Sequence, residues 1–88
     1  MNWTCEVAPG AEGDLKGLPR DAKERVARTL SRMETDPFQG DVKALKGKEW
    51  KGFFRRRLGS YRIVFTADQK NKTVTVFRIL LRSKKTYQ

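Results

Sequence analysis

The stretch Phe53-Phe-Arg-Arg-Arg-Leu-Gly-Ser-Tyr-Arg-Ile-Val-Phe65 has the composition of two β-strands joined by a tight turn. Gly59-Ser60 is a two-residue sequence of the kind that connects antiparallel strands. With that turn, Leu58 pairs with Tyr61, and the residues on either side pair outward in step. The stretch therefore predicts a β-hairpin whose register follows from the position of its turn.

Alternation along the two strands divides their side chains between two faces. Arg57 is predicted to lie directly opposite Arg62, and Arg55 is on the same face. Phe54 and Phe65 then pair on the other face, which we interpret as the core. Arg56 is the exception, because it falls on the core side, and we expect it to extend toward the edge of the sheet.

A third strand is predicted over residues 73–82, after the polar run at residues 68–72. An odd-length loop centred on Lys70 would pair Arg62 with Arg78 and Ile63 with Phe77. The predicted core face collects Phe54, Leu58, Tyr61, Ile63, Phe65, Phe77, Ile79 and Leu81. The predicted opposite face collects Arg55, Arg57, Arg62, Arg78 and Arg82. Like charges opposite one another destabilise a strand pair by up to about 1 kcal/mol, so the cluster favours a bound anion over a merely hydrated face.

The rest of the chain adds one strand and two helices. Trp3, Cys5 and Val7 alternate with polar residues, which predicts a short first strand. A short helix over residues 11–18 and an amphipathic helix over residues 19–35 follow, and residues 38–51 are predicted to be a loop. The predicted fold is α+β, with the order β-α-α-β-β-β and an antiparallel sheet that carries two N-terminal helices on one face. We expect residues 1–88 to form one domain.

The charges are divided unevenly along the chain. Of 88 residues, 20 are Lys or Arg and 10 are Asp or Glu, so the net charge is +10. Residues 1–42 contain six cations and eight anions, whereas residues 43–88 contain fourteen cations and two anions. The second half also contains most of the aromatic residues. Basic residues between aromatic ones favour a nucleic-acid partner, although most of these rings, Trp50 included, are expected to be core or loop anchors.

Histidine is absent and Cys5 is the single cysteine. These counts exclude imidazole catalysis and sites built from several cysteines, so we expect neither a metal nor a cofactor. One cysteine also fits a reducing compartment, and we expect a cytoplasmic protein. The longest apolar runs are three residues, so no contact with a membrane is expected.

Motifs along nearly the whole chain resemble those of the RelE/ParE superfamily of toxins from toxin–antitoxin pairs. Asp14-Leu-Lys-Gly-Leu-Pro19 precedes the long helix, and Thr35-Asp-Pro37 follows it. Lys43-Ala-Leu-Lys-Gly47 comes next, and the hairpin stretch is similar to the family's most specific motif. Val76-Phe-Arg-Ile-Leu-Leu-Arg82 ends the match, with a basic tail and Tyr87 behind it.

The resemblance to RelE-type members implies a ribosome-dependent mRNA endonuclease that halts translation. It places Arg55, Arg57, Arg62 and Arg82 at the family's basic positions, and Tyr87 at its C-terminal tyrosine. We predict further RNA contacts from Lys43, Lys46, Lys48, Arg78, Lys84 and Lys85. The histidine and glutamate of some relatives have no equivalent here, although Lys43 or Lys46 could fill such a role.

The predicted chemistry uses the RNA's own 2′-hydroxyl as nucleophile. Arginines would hold the phosphate and its developing charge, and Tyr87 is the candidate general base. The general acid is left open between Arg82 and a loop lysine. ParE-type members have the same fold and inhibit DNA gyrase without catalysis, which is the alternative function. The expected partners are a cognate antitoxin, the ribosome and mRNA, and we expect the free toxin to be monomeric.

Overall fold

Five strands form one sheet in the order β1-β5-β4-β3-β2, and two helices cover one of its faces. The computed structural model describes residues 2–81. The elements are β1 (Thr4–Val7), α1 (Pro9–Lys16), α2 (Arg20–Met33), β2 (Val42–Ala44), β3 (Phe53–Leu58), β4 (Tyr61–Asp68) and β5 (Thr73–Leu81). The α+β class and the placement of both helices before the hairpin are confirmed.

The sheet differs from the prediction in two respects. Residues 38–51 are not a continuous loop, because they contain β2 and a single 3-10 turn at Lys48–Trp50. β2 has only three residues, and one of its aliphatic side chains is half-buried. Such a segment is too short to show the alternation of buried and exposed side chains that predicts a strand. It is a strand because it pairs with β3. The sheet is also mixed rather than antiparallel, since β1 runs parallel to β5.

Both helices form where their apolar spacing predicts. In α2, Ala22, Val26 and Met33 are buried, while Arg28 and Arg32 on the other side are exposed. α1 begins at Pro9, two residues earlier than the predicted start, because proline is well suited to the first helical turn. Within residues 2–81, neither helix is long and apolar enough to cross a membrane.

The hairpin of β3 and β4 has the predicted register. Leu58 pairs with Tyr61, Arg57 with Arg62, and Phe54 with Phe65 in the same ladder. Gly59 has a φ of +59°, which the first position of a type II′ turn requires and which glycine adopts without strain.

The pairing of β4 with β5 corrects the predicted register. Asp68 pairs with Thr73, so four residues rather than an odd number form the loop. The Asp68 carboxylate accepts hydrogen bonds from the backbone amides of Lys70 and Asn71, which closes this loop. The register then shifts at a bulge, because Phe65 pairs with Val76 and Val64 with Arg78.

The four-residue loop and the bulge each move the register by one residue, so two pairs predicted from the sequence are wrong. Arg62 lies opposite Leu80 rather than Arg78, and Ile63 lies opposite Ile79 rather than Phe77. Phe77 has no partner in the ladder, and because it follows the buried Val76 it lies on the face away from the core. The core between sheet and helices instead contains Ala11, Val26, Met33, Ile63, Phe65, Val74, Val76 and Ile79. Leu81, also predicted to be core, is 63% exposed.

Cys5 packs against the edge of this core, as its place on the first strand predicts. Burial raises the pKa of its thiol, and the neighbouring carboxylates Glu34 and Glu6 raise it further. The thiol therefore stays protonated and unreactive at neutral pH, which fits a packing role.

Candidate nucleic-acid interface

Cationic side chains gather on the sheet face that the helices leave uncovered. Lys43 on β2 pairs with Arg55 on β3, and Arg57 on β3 pairs with Arg62 on β4. Because residues two apart on a strand share a face, all four side chains start from the same face. We call Lys43, Arg55, Arg57 and Arg62 the cationic cluster. The sequence predicted its three arginines together, and β2 brings Lys43 beside them.

Asp41 holds two members of the cationic cluster in place. Arg55 Nη1 donates to the Asp41 carboxylate and to its backbone carbonyl, both at 3.2 Å. Arg57 Nη1 lies 3.8 Å from the second carboxylate oxygen, and the Arg57 backbone amide donates to the Asp41 carbonyl at 3.0 Å. The hydrogen bond from Arg55 and the charges of both arginines lower the pKa of Asp41, so its carboxylate is ionised at neutral pH.

The contact with Asp41 explains why the arginines tolerate one another. Only 15% of the Arg55 side chain is exposed, whereas half of Asp41 and 44% of Arg57 are exposed. One carboxylate offsets part of the charge of the cluster and fixes where the two guanidiniums lie. Sequence reasoning missed Asp41, because it lies 14 residues before Arg55 and outside every recognised motif. The sequence offered no signal for it, since residues 38–51 were predicted to be a loop.

Arg56 lies on the core side of β3, as predicted. It pairs with Val42 and Ile63, and its Nη1 donates a hydrogen bond to the carbonyl of Gln39. Gly40 allows this contact, because a Cβ there would lie within 3 Å of the Arg56 guanidinium. Arg56 thus anchors the loop before β2 and does not join the cationic cluster.

Arg78 belongs to a second, separate ion pair. Its Nε and Nη2 donate to the two carboxylate oxygens of Asp14 on α1, at 2.8 and 3.1 Å. Asp14 also accepts a hydrogen bond from the backbone amide of Ile79 at 2.9 Å. Both hydrogen bonds lower the pKa of Asp14, and the one from Arg78 has the larger effect. The structure therefore directs the Arg78 guanidinium toward α1 and not toward the cationic cluster.

The remaining predicted site residues fall into two groups. Lys46 and Lys48 are exposed in the segment between β2 and β3, beside the cationic cluster in sequence. The positions of Arg82, Lys84, Lys85 and Tyr87 lie outside the described residues. Among residues 2–81, no three acidic or sulfur-bearing side chains are grouped closely enough to hold a metal ion.

Three aromatic rings lie next to the cationic cluster. The rings of Trp50 and Phe53 meet edge to face, with centroids 5.5 Å apart, and Phe53 and Phe77 are 5.3 Å apart. Phe53 and Arg55 share one face of β3, so these rings continue the cationic face. Trp3, by contrast, is half-buried and contacts Phe38, which fits its predicted role as an anchor.

This arrangement can bind a phosphodiester chain. Arginine guanidiniums donate two hydrogen bonds at a time to phosphate oxygens and keep their charge at any physiological pH. Arg55 and Arg57 are already oriented by Asp41, which reduces the entropy lost when they bind an anion.

Comparisons with known proteins agree with the fold. The profile of the ParE toxin of the type II toxin–antitoxin system parDE matches residues 5–86. The chain belongs to this family of toxins. No curated protein matches the sequence at a significant level.

Solved structures of related toxins share the fold. The RelBE2 toxin–antitoxin complex from Mycobacterium tuberculosis contains a chain with a TM-score of 0.83 and 25% identity, and the match covers 93% of this chain and 100% of that one. The RelE–RelB complex from Pyrococcus horikoshii matches with a TM-score of 0.81 and 23% identity over 96% and 99% of the two chains. The YoeB/ParE toxin from Agrobacterium tumefaciens matches with a TM-score of 0.74 and 20% identity, and the match covers 91% of this chain and 99% of that one.

Proposed function

We propose that this toxin is a ribosome-dependent mRNA endonuclease whose cationic cluster holds the phosphate at the cleaved bond. The observation that carries the proposal is the gathering of Lys43, Arg55, Arg57 and Arg62 on one uncovered sheet face. The single Asp41 carboxylate offsets only part of this charge, and RNA supplies one phosphate for every nucleotide.

In this mechanism the RNA provides its own nucleophile. The 2′-hydroxyl attacks the adjacent phosphorus, a proton leaves that hydroxyl, and the bond to the 5′-oxygen of the next nucleotide breaks. Arg55, Arg57 and Arg62 would stabilise the negative charge that develops on the phosphate oxygens. Guanidinium groups stay protonated at physiological pH, so these arginines are poor proton carriers, and the base has to be another group.

We assign the base to Tyr87, and Arg82 or a lysine of residues 43–51 would stabilise or protonate the leaving 5′-oxygen. A tyrosine has a pKa of about 10, and neighbouring arginines would lower it by stabilising the phenolate. A base of this kind is weak, so the enzyme would depend on the ribosome to position the message. Naked RNA should therefore be bound but cut slowly.

The decisive measurement is single-turnover cleavage of mRNA on programmed ribosomes. Removing one guanidinium with Arg62→Ala should slow cleavage by roughly 10²-fold, because a contact to the developing charge is lost. Tyr87→Phe removes only a hydroxyl and should slow cleavage by about 10²- to 10⁴-fold, the usual effect of a positioned proton-transfer group. The matched control is Arg28→Ala, which removes an exposed arginine from α2 and should leave the rate unchanged.

Cleavage by Tyr87→Phe at the wild-type rate would remove Tyr87 from the mechanism and direct attention to the lysines. Wild-type protein that leaves mRNA intact on ribosomes would contradict the proposed activity as a whole. These two results are separable, because the first concerns one residue and the second concerns the reaction.

Inhibition of DNA gyrase is the second candidate function, and the match to the ParE family profile favours it. The same basic face would then bind a protein or DNA surface without chemistry. A supercoiling assay distinguishes the two functions. Loss of gyrase activity together with intact mRNA selects the inhibitor, whereas cut mRNA and normal supercoiling select the endonuclease.

We also propose a cognate antitoxin as partner. The solved relatives include complexes of a toxin with its antitoxin. The net charge of +10 favours a partner with an acidic segment, and the exposed Leu80 and Leu81 offer apolar surface for it to cover. Co-expression of a neighbouring gene for a small acidic protein should abolish toxicity, and the two proteins should purify together. Undiminished toxicity would contradict this partner.

A further inference from the structure

The rings of Trp50, Phe53 and Phe77 form a continuous aromatic surface outside the core, which we call the aromatic shelf. Trp50 is 41% exposed and Phe77 is 36% exposed, and both contact Phe53. Burial of aromatic rings is a major contribution to stability, and the exposed rings of Trp50 and Phe77 lose much of that contribution. A contiguous exposed patch of this kind on a small protein is typical of a binding surface.

Alternation along β5 places Phe77 on this face, and a β-bulge lies next to it. Val76 is buried in the core, so the next side chain, that of Phe77, points to the opposite face. A bulge inserts one residue and redirects a side chain, and such bulges occur preferentially next to functional sites. The Phe77 ring packs against Phe53 on that face, and the bulge returns the next apolar residue, Ile79, to the core opposite Ile63.

The charges around the aromatic shelf indicate its ligand. Residues 46–57 contain six cations and one anion, Glu49, so an anionic ligand is attracted to this side of the shelf. Phe53 and Arg55 are two residues apart on one strand face, or about 6.6 Å. A single-stranded nucleic acid pairs these two features, because its phosphates meet cations while its bases stack on aromatic rings.

We propose that the aromatic shelf is a stacking subsite for one unpaired base of the RNA whose phosphate the cationic cluster binds. This inference rests on the proposed function in that RNA is the ligand, but it does not require that the RNA be cut. Trp50 is the stacking platform, since it is the largest and most exposed ring. Phe53 supports Trp50 from one side and joins it to Phe77.

A two-by-two binding experiment isolates the base contact from the phosphate contact. The probes are a short single-stranded RNA and an abasic ribose-phosphate chain of the same length, both without ribosomes. Wild-type protein should bind the RNA about 10-fold more tightly than the abasic chain. Trp50→Leu keeps an apolar side chain but removes the ring, so this variant should bind both probes alike, with the affinity for the abasic chain unchanged.

Two further variants protect the result against a folding defect. Trp50→Phe keeps a ring and should retain most of the preference for RNA over the abasic chain. Phe38→Leu removes an equally exposed ring that contacts Trp3 and Phe54, away from the shelf, and should retain the full preference. RNA should also quench the tryptophan fluorescence of wild-type protein, and this quenching should be lost in Trp50→Phe.

Equal affinity of the wild-type protein for both probes would overturn the inference, as would a full preference in Trp50→Leu. If the preference is absent and Trp50→Leu instead weakens binding of the antitoxin, the shelf is a protein-binding surface and the inference is wrong. A preference that persists in protein unable to cut mRNA on ribosomes would contradict the proposed function while supporting the subsite. Cleavage of mRNA on ribosomes without any preference for RNA over the abasic chain would support the proposed function and contradict the subsite.

Discussion

Asp41 offsets part of the positive charge of the cationic cluster. Its carboxylate contacts Arg55 and Arg57 at the positions where a phosphate oxygen could bind. The carboxylate thus orients the two arginines and also competes for their hydrogen bonds. Because half of the Asp41 side chain is exposed, water screens its charge, and the competition is weak enough for RNA to displace the carboxylate.

The variant Asp41→Asn tests this competition. The amide keeps the shape of the side chain and removes its charge, so we expect single-stranded RNA to bind roughly 2- to 5-fold more tightly at low salt. The matched control is Asp21→Asn, which makes the same change of net charge on α2. Both affinities are measured by fluorescence anisotropy. If both variants bind RNA more tightly by the same factor, the effect is one of net charge alone. If Asp41→Asn binds RNA more weakly, Asp41 acts only by positioning the arginines.

Gly40 is required by its conformation and by its neighbour. Its φ is +92°, and a Cβ would lie within 3 Å of the Arg56 guanidinium. Gly40→Ala should therefore lower the free energy of unfolding by about 1–3 kcal/mol, because it strains the backbone and displaces Arg56 from Gln39.

Gly13 provides the opposite test with the same substitution. It lies within α1, and a Cβ there would meet no atom within 4 Å. Gly13→Ala should raise the free energy of unfolding by about 0.5–1 kcal/mol, because alanine loses less entropy in a helix. Urea denaturation measures both variants. A neutral Gly40→Ala would show that the loop can rearrange around Arg56.

At the scale of elements, Asp14 fastens α1 to β5. The strand β1 ends at Val7, opposite Val76, so the amide of Ile79 has no strand partner on that side. Asp14 supplies the acceptor for this amide and binds Arg78 at the same time. A helix side chain thereby completes the edge of the sheet where the neighbouring strand stops.

Asp14→Ala should lower the free energy of unfolding at pH 7 by about 1 kcal/mol, since an amide loses its acceptor and the exposed ion pair adds little. The pKa of Asp14 is lower in the folded state than in the unfolded state. Its contribution is therefore complete above about pH 4 and is lost as the pH falls through the folded pKa. The difference in the free energy of unfolding between wild type and variant, measured by urea denaturation, should disappear as the pH is lowered. A difference that stays constant with pH would assign the effect to packing.

At the scale of the whole molecule, the fold concentrates the charge that the sequence separates. The acidic first half supplies the helices, and the basic second half supplies most of the sheet. The helices cover one face of that sheet, so Arg55, Arg57 and Arg62 remain on the other. A net charge of +10 also steers polyanions toward the protein before any specific contact forms.

Binding of single-stranded RNA should accordingly depend strongly on salt. If the four cations of the cationic cluster each neutralise one phosphate, the logarithm of the association constant should fall with the logarithm of salt concentration with a slope of roughly −3. Arg57→Ala should reduce the steepness by about 0.7, and Arg28→Ala on α2 should leave it unchanged. A slope near zero in the wild type would contradict phosphate binding by the cluster.

Some features of the protein follow from the sequence alone. The register of the β3–β4 hairpin depends on a two-residue turn between adjacent strands, and α2 depends on apolar residues three and four positions apart. Both patterns are local, because the hydrogen bonds join residues that are close in the chain. They suffice to place Arg55, Arg57 and Arg62 on one face.

Tertiary structure alone decided the rest. The three residues of β2 became a strand because β3 offered free backbone groups, and this pairing placed Lys43 beside Arg55. Asp14 and Asp41 reach their arginines across 64 and 14 residues, distances over which no sequence period carries information. The bulge at Phe77 likewise reflects how β5 packs against both β4 and the helices, which local alternation does not encode. Neighbouring residues determine periodic backbone structure, whereas contacts between distant residues are chosen by the packing of the whole fold.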